Sequence, residues 1–353
     1  MLNSKPLLFT SLFALTISAQ LAASPTLAGG FWINYSFNED THETDFGDQA
    51  IIGYLDGAKS DQSPWFYSAE FRLGPGSFTD VDNNSSGQKY VMHKAWLGYA
   101  IDDNNSLTFG KSQVPFGWKT ANFWPGDMFL AAYGDQMDVG VKYQGGVNQF
   151  NYQLAYYLAD DWASKSTDST DDNRHWGSSS TYRKVDTAVV DFSYTFNKQH
   201  TFAASYQNGK LEELITGDRR TDGDHSAYVI YYQGQFDQLT TKLSYIDGKR
   251  DLPQAYLAAN PDVASTIDNT RYAGELGYTL GDWYFVLDVT LAKSNTNGVD
   301  SDTVYAFAPG VRYNYGPGWL YLEYLNQDAY FDRNMQINQG DFAAWYLTFD
   351  YYW

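Results

Sequence analysis

The sequence predicts an all-β chain that closes into a transmembrane antiparallel β-barrel of about sixteen strands. Three observations carry that prediction. Apolar and polar residues alternate in segments of about ten residues. Short turns and long polar loops succeed one another along the chain. Aromatic residues make up 18% of the 353 positions, with 30 Tyr, 22 Phe and 11 Trp.

The N-terminus differs from the rest of the chain. Lys5 is the lone charge ahead of an apolar run over residues 7–17, and Thr26-Leu27-Ala28 has the small-x-small form of a processing site. The run is well under the roughly 20 residues that a spanning helix needs. Residues 1–28 therefore read as a signal peptide, and residues 29–353, starting at Gly29, as the barrel.

Alternation is clearest in the last segment. Ala343, Trp345, Leu347, Phe349, Tyr351 and Trp353 share one face, while Ala344, Tyr346, Thr348, Asp350 and Tyr352 share the other. Similar runs fall at 65–73, 91–101, 137–143, 150–157, 188–196, 239–245, 272–280 and 283–291. Short turns are expected at 102–105, 145–147, 197–199, 236–237, 281–282 and 316–318. Long loops are expected at 75–87, 117–134, 159–183, 209–224, 247–270 and 327–342. A soluble sandwich would lack this long–short rhythm, and a propeller would show blade repeats, which are not seen. Lipid tolerates no open sheet edge, so the strands must form a ring. An even strand number puts both termini on the short-turn, periplasmic side. Trp65, Trp283, Trp319 and Trp353 sit at strand ends, where aromatic girdles meet the lipid–water interfaces.

Composition removes several functions. There are 42 acidic against 23 basic residues, a net charge of −19, which disfavours nucleic acid as a partner. The absence of cysteine excludes disulfide scaffolds and Cys-ligated metal centres, and no cofactor is implied.

If the apolar parity faces outward, the other parity lines a lumen. It carries Arg72, Lys94, Lys142, Lys242, Arg271 and Arg312, with Glu70, Asp191, Glu275, Asp288, Glu323 and Asp350. Facing lipid, each Arg or Lys would cost about 2–4 kcal/mol at the midplane. A dry interior would need nearly complete pairing. A water-filled channel accommodates these charges. The excess acid falls in loops, at Asp160, Asp161, Asp168, Asp171, Asp172, Asp218, Asp222 and Asp224. It reads as a solvated rim, and alternatively as an entrance potential or a holder of divalent cations. Asp80, Asp82 and Asn84 begin like a calcium loop, but Ser85 replaces its Gly and Val91 its terminal Glu, so no metal site is expected.

The loop after the fifth strand, 117–134, is too apolar to stand in water, with Trp118, Phe123, Trp124, Met128, Phe129 and Leu130. It is expected to fold inward against the wall and narrow the channel. Lys119 or Asp127 would then face Arg72, Lys94 and Lys142 across the lumen. Packing on a neighbouring subunit, or capping the barrel from outside, is the alternative.

Catalytic constellations are not found. The five histidines are His42, His93, His175, His200 and His225. Most fall in loops or at strand ends, and His93 lies mid-strand on the lipid-facing parity. His225 and Ser226 are adjacent, so in a strand they point to opposite faces.

With its signal, alternating strands and aromatic ending (349–353, Phe-Asp-Tyr-Tyr-Trp), the chain resembles bacterial outer-membrane porins. The nonapeptide Phe109-Gly110-Lys111-Ser112-Gln113-Val114-Pro115-Phe116-Gly117 resembles a strand-end motif of the phosphate-selective porin O and P group. The resemblance implies a multi-pass barrel in a Gram-negative outer membrane, among lipid and lipopolysaccharide. It also implies a homotrimer, passive diffusion of small hydrophilic solutes or ions, and no enzymatic activity. Trp353, in place of the usual Phe, would be read by the barrel-assembly machinery. The loops show no Arg ladder, so phosphate selectivity does not carry over. A barrel phospholipase or protease, or an adhesin acting through its loops, remains the alternative, although the phospholipase pattern His-x-Ser-Asn-Gly is absent.

Overall fold

The computed structural model describes residues 25–47, 49–74, 90–118, 121, 136–162, 181–332 and 334–353. The expected loop residues Lys119, Phe123, Trp124, Asp127, Met128, Phe129 and Leu130 lie outside them. So do the acids Asp80, Asp82, Asp168, Asp171 and Asp172.

Eighteen strands share one sheet. In order they are β1 (Thr26–Asn38), β2 (Thr44–Asp45), β3 (Ala50–Gly57), β4 (Trp65–Leu73), β5 (Tyr90–Ala100) and β6 (Asn105–Gln113). Next come β7 (Met137–Val147), β8 (Phe150–Ala159), β9 (Tyr182–Phe196), β10 (His200–Glu213), β11 (Gly223–Phe236) and β12 (Leu239–Asp251). A short helix, α1 (Gln254–Ala259), leads to β13 (Thr266–Leu280), β14 (Trp283–Thr296), β15 (Val299–Asp300), β16 (Val304–Asn314), β17 (Trp319–Phe331) and β18 (Ile337–Tyr352). Two of these, β2 and β15, are only two residues long and extend loops. The other sixteen are antiparallel staves, and β18 pairs with β1 from Tyr352↔Gly30 to Ala344↔Asn38, which closes the ring.

Period-2 patterning decides which face each residue takes. Along β14, Phe285, Val289 and Leu291 are exposed, whereas Val286, Asp288, Thr290 and Ala292 are buried. The exposed parity is apolar nearly all the way round the barrel, a surface that suits hydrocarbon and not water. Aromatic pairs mark its short-turn edge: Trp65 on Tyr99 (ring centroids 4.8 Å apart), Phe150 on Tyr194 (4.7 Å) and Trp283 on Tyr313 (4.7 Å). Tyr228, Tyr245 and Tyr272 form a second row toward the other edge. Residues 1–24 lie outside the described region, and the expected processing point after Ala28 falls just inside β1. The ladder to β18 starts beyond it, at Gly30.

Several expected loops are shorter than the sequence suggests. Strand enters the expected loops at 209–224, 247–270 and 327–342 from both sides, since β10 runs to Glu213, β12 to Asp251 and β17 to Phe331. The parity expected within the lipid belt inverts there: the outer face has risen above the apolar belt and turns polar, while the inner face carries buried apolar residues such as Leu211 and Ile267. Outward ion pairs take over: Lys210–Asp224 (2.5 Å), Lys249–Asp251 (3.4 Å) and Lys293–Asp300 (2.6 Å).

His93 departs from the lipid-facing parity expected of it. The register slips between Glu70↔Lys94 and Phe71↔Met92, so His93 is the extra residue of a β-bulge. Met92 stays outward at 42% exposure, while His93 is 1% exposed and turned off the lipid face. Strict alternation cannot register an inserted residue.

The closing seam and the turns are both open to test. A Cβ at Gly30 would stand 2.4 Å from the Tyr352 ring across the seam. Gly30→Val is therefore expected to destabilise the folded barrel by about 1–3 kcal/mol, read as a lower temperature at which its compact band disappears on unboiled gels. In the turn between β5 and β6, the backbone N–H of Asn104 and the side chain of Asn105 hydrogen-bond Asp102 and hold its pKa below the ordinary aspartate value of 3.8. A depressed carboxylate pKa contributes stability in full above the unfolded value, and that contribution is lost as pH falls through the folded one. Asp102→Ala should thus be less stable than wild type at neutral pH, with the difference shrinking below about pH 4.

Candidate functional site: the barrel lumen

The inward residues named from the sequence all lie on described strands, and they form local clusters instead of one charged ladder. On β4, Glu70 and Arg72 share a face, and Arg72 Nε donates to Glu70 Oε1 at 2.7 Å. Lys94 Nζ lies 3.8 Å from the other carboxylate oxygen of Glu70. Both cations also lean on aromatic rings, Arg72 on Trp32 and Lys94 on Tyr54. Most of these charges are buried, so they do not stand free in bulk water as the alternation alone implies.

On the far wall, Lys242 Nζ is 2.9 Å from Glu275 Oε1. Glu275 is 1% exposed and directly opposite Asp288, itself buried, in the β13–β14 register. Glu323 on β17 is equally buried. Arg271, fully buried, donates from Nε to Asn269 Oδ1 at 2.6 Å and stacks over Phe331. Arg312 is held over three rings, those of Tyr284, Trp319 and Tyr321, at 4.8, 5.7 and 5.9 Å. Asp350 accepts the Trp319 N–H, and Asp191 accepts the Ser205 hydroxyl at 2.7 Å.

The described start of the third long loop engages this wall. Lys142 Nζ and Tyr157 Oη both donate to the carbonyl of Gln113, at 2.9 and 3.0 Å, where β6 ends. Val114 and Phe116 then pack among Ala155, Tyr157, Val189, Ala227, Val229 and Ile246. Gly117 N–H donates to Ser205 Oγ at 3.2 Å. Trp118 is buried against Ala273 and beneath the Lys242 ammonium, 5.3 Å from its ring centroid. Ala121 N–H reaches Glu275 Oε2 at 2.5 Å. From Gln113 on β6 to Glu275 on β13 is seven staves around a ring of sixteen. Eight residues cover that distance because the chain cuts across the interior.

A second set of contacts lies among the long loops between β9–β13 and β17–β18. Asn334, between β17 and β18, accepts the Tyr182 hydroxyl at 2.7 Å and donates to Tyr256 Oη at 3.2 Å. Met335 and the α1 loop complete an apolar cluster with Tyr182, Leu211, Leu252, Tyr256 and Ile267. The inner wall is also less polar than expected, since Ala292, Ala306, Ala308, Leu325, Ala329 and Phe331 form a buried apolar strip. Parity marks these positions as inward, but not as packed together in one apolar cluster. Nor does the sequence single out Ser205, Tyr182 or Asn334. Their contacts join residues 88 and 152 positions apart, and no local pattern records that. Among the histidines, His225 Nε2 lies 2.9 Å from Thr187 Oγ1, and His200 Nδ1 lies 2.8 Å from Tyr232 Oη at the aromatic edge.

Glu275 joins the far-wall lysine to the crossing loop, so Glu275→Ala should release both. Removing one partner of a buried pair costs about 3–5 kcal/mol, and the loop start loses its acceptor. On unboiled gels the folded band of the variant should be lost at a lower temperature than that of wild type.

No family model matches the chain, and no curated protein matches it in sequence. Solved structures do match. OmpT, an outer membrane protein of Vibrio cholerae in its trimer form, aligns with a TM-score of 0.66 at 14% identity, covering 94% of this chain and 99% of that one. OmpF of Salmonella typhi, in complex with daunomycin, aligns at 0.64 and 12% identity, covering 93% and 97%. An anion-selective porin from Comamonas acidovorans aligns at 0.57 and 12% identity, covering 94% and 99%. The chain therefore has the closed sixteen-strand fold of the outer-membrane barrels.

Proposed function

We propose that this protein is an outer-membrane porin, a non-enzymatic channel through which small hydrophilic solutes or ions diffuse passively. The observation that carries this reading is the division of faces: one wall is apolar outside and bears charge and hydrogen-bonding groups inside. A wall of this kind fits lipid on one side and water or polar protein on the other. The serine–carboxylate pair that the lumen forms, Ser205 with Asp191, serves to receive the Gly117 amide and so has a structural role.

The third loop supplies the constriction. What supports this reading is the described start of the loop, where Val114, Phe116 and Trp118 pack on the inner wall and Ala121 N–H reaches Glu275. Lys119 and Asp127 are then the charges that set the eyelet, opposed to Arg72, Lys94 and Lys142. Of these, Lys142 tethers the loop through Gln113, so its replacement would alter pore size as well as charge. Homotrimer assembly follows the trimeric relative and the porin resemblance. Residues 1–28 act as the export signal, and Trp353 is the aromatic end presented to the barrel-assembly machinery. Lipopolysaccharide meets the outward ion-paired rim.

Reconstituted protein should give ohmic conductance steps in planar bilayers and admit small sugars into liposomes. Folded protein that conducts nothing would overturn the reading. Arg312 offers the cleanest charge test, because it is half-exposed and held by rings. Arg312→Glu should move the reversal potential under a KCl gradient toward cations, by more at low salt than at high salt.

A further inference from the structure

At the short-turn end of the lumen, the inner faces of β3 to β7 enclose a cavity of about 510 Å³ that the channel reading does not use. Its geometry follows from register. Asp56, Ser68 and Trp96 lie side by side on three neighbouring staves, all facing inward. One row nearer the turns, Phe66 stands opposite Gly98. A Cβ at Gly98 would be 2.4 Å from the Phe66 ring, so the glycine lets that ring lie on the wall. Phe66 and Trp96 meet edge to face, with centroids 5.6 Å apart. Two inward aromatic surfaces thus line a pocket to which Ser68, Ser106 and Gln144 also contribute.

The charge of the lining is one-sided. Asp56, Asp102 and Asp103 stand against Lys59 alone. Lys59 lies 3.8 Å from Asp103, and Asp102 is taken up by the Asn104 and Asn105 donors. Asp56 has no hydrogen-bond or ion-pair partner among the described residues. Its backbone lies two strand spacings, roughly 10 Å, from that of Trp96. A cation over an aromatic face with a carboxylate beside it is favoured by both groups at once. A neutral solute would gain only the ring contact, and an anion would be repelled.

We propose that this pocket is a binding subsite for organic cations, namely amines or quaternary ammonium compounds that carry an apolar face. Asp56 takes the charge, and Trp96 with Phe66 takes the apolar body. The site deepens the channel reading by adding a solute class to it, but binding here does not require conduction.

Calorimetry on the full chain folded in detergent tests the proposal, with benzyltrimethylammonium as the probe and benzyl alcohol and benzenesulfonate as controls. The cation should bind more tightly than either control. Asp56→Asn should weaken it roughly tenfold, the loss of one charge-assisted contact. Trp96→Leu should weaken it as well. Gly98→Val, which displaces the Phe66 ring, should lower affinity for the cation and leave the charge intact. Heat-modifiable migration confirms that each variant is folded. Equal binding of benzyl alcohol, or an unchanged affinity in both folded Asp56→Asn and folded Trp96→Leu, would overturn the subsite. Binding without conductance would overturn the channel reading alone, and conductance without binding would overturn the subsite alone.

Discussion

The structure depends on one constraint: inside lipid, every backbone N–H and C=O must find its partner within the protein. A sheet meets that demand only when its first and last strands join. Here the join is the β1–β18 ladder, reinforced beyond its end by reciprocal bonds between Gly29 and Trp353. Once the ring is closed, the alternation of side chains assigns each residue to lipid or to lumen. The aromatic rows, the outward apolar belt and the inward charges are consequences of that assignment.

The interior follows a different logic. Its charges are removed from bulk water, and what makes this tolerable is local pairing: Glu70 with Arg72 and Lys94, Glu275 with Lys242. Arg312, for which no ion pair is seen among the described residues, rests on rings. The described start of the third loop is held by the same groups. Glu275 accepts from both Lys242 and the Ala121 amide, and Lys142 grips the carbonyl at which β6 ends. Lumen charge and lumen shape are therefore coupled, and a substitution that changes one will change the other.

Much of this architecture is legible in the amino-acid sequence alone. The period-2 pattern is local, so the outward set on β14 and the inward set from Arg72 to Asp350 can be read directly. The apolar excess of the third loop points to its burial; of those apolar residues Trp118 is the one described, and it is buried against Ala273. What is not legible has physical causes. A bulge shifts parity by one residue, which misplaces His93. Above the lipid belt the outer face turns polar, so strands continue through segments that read as loops, as at Lys210 and Lys249. Contacts across the lumen, such as Tyr182 with Asn334, arise only once the ring is closed.

One wall with a lipid face and a protein-or-water face, alternating every two residues, is the feature from which all else follows. Because the chain has no cysteine, single cysteines can be placed along β14, from position 285 to 292, and spin-labelled in bilayers. Oxygen accessibility should peak at 285, 287, 289 and 291 and dip at the positions between. A profile that is flat, or that repeats with a helical period, would contradict the account.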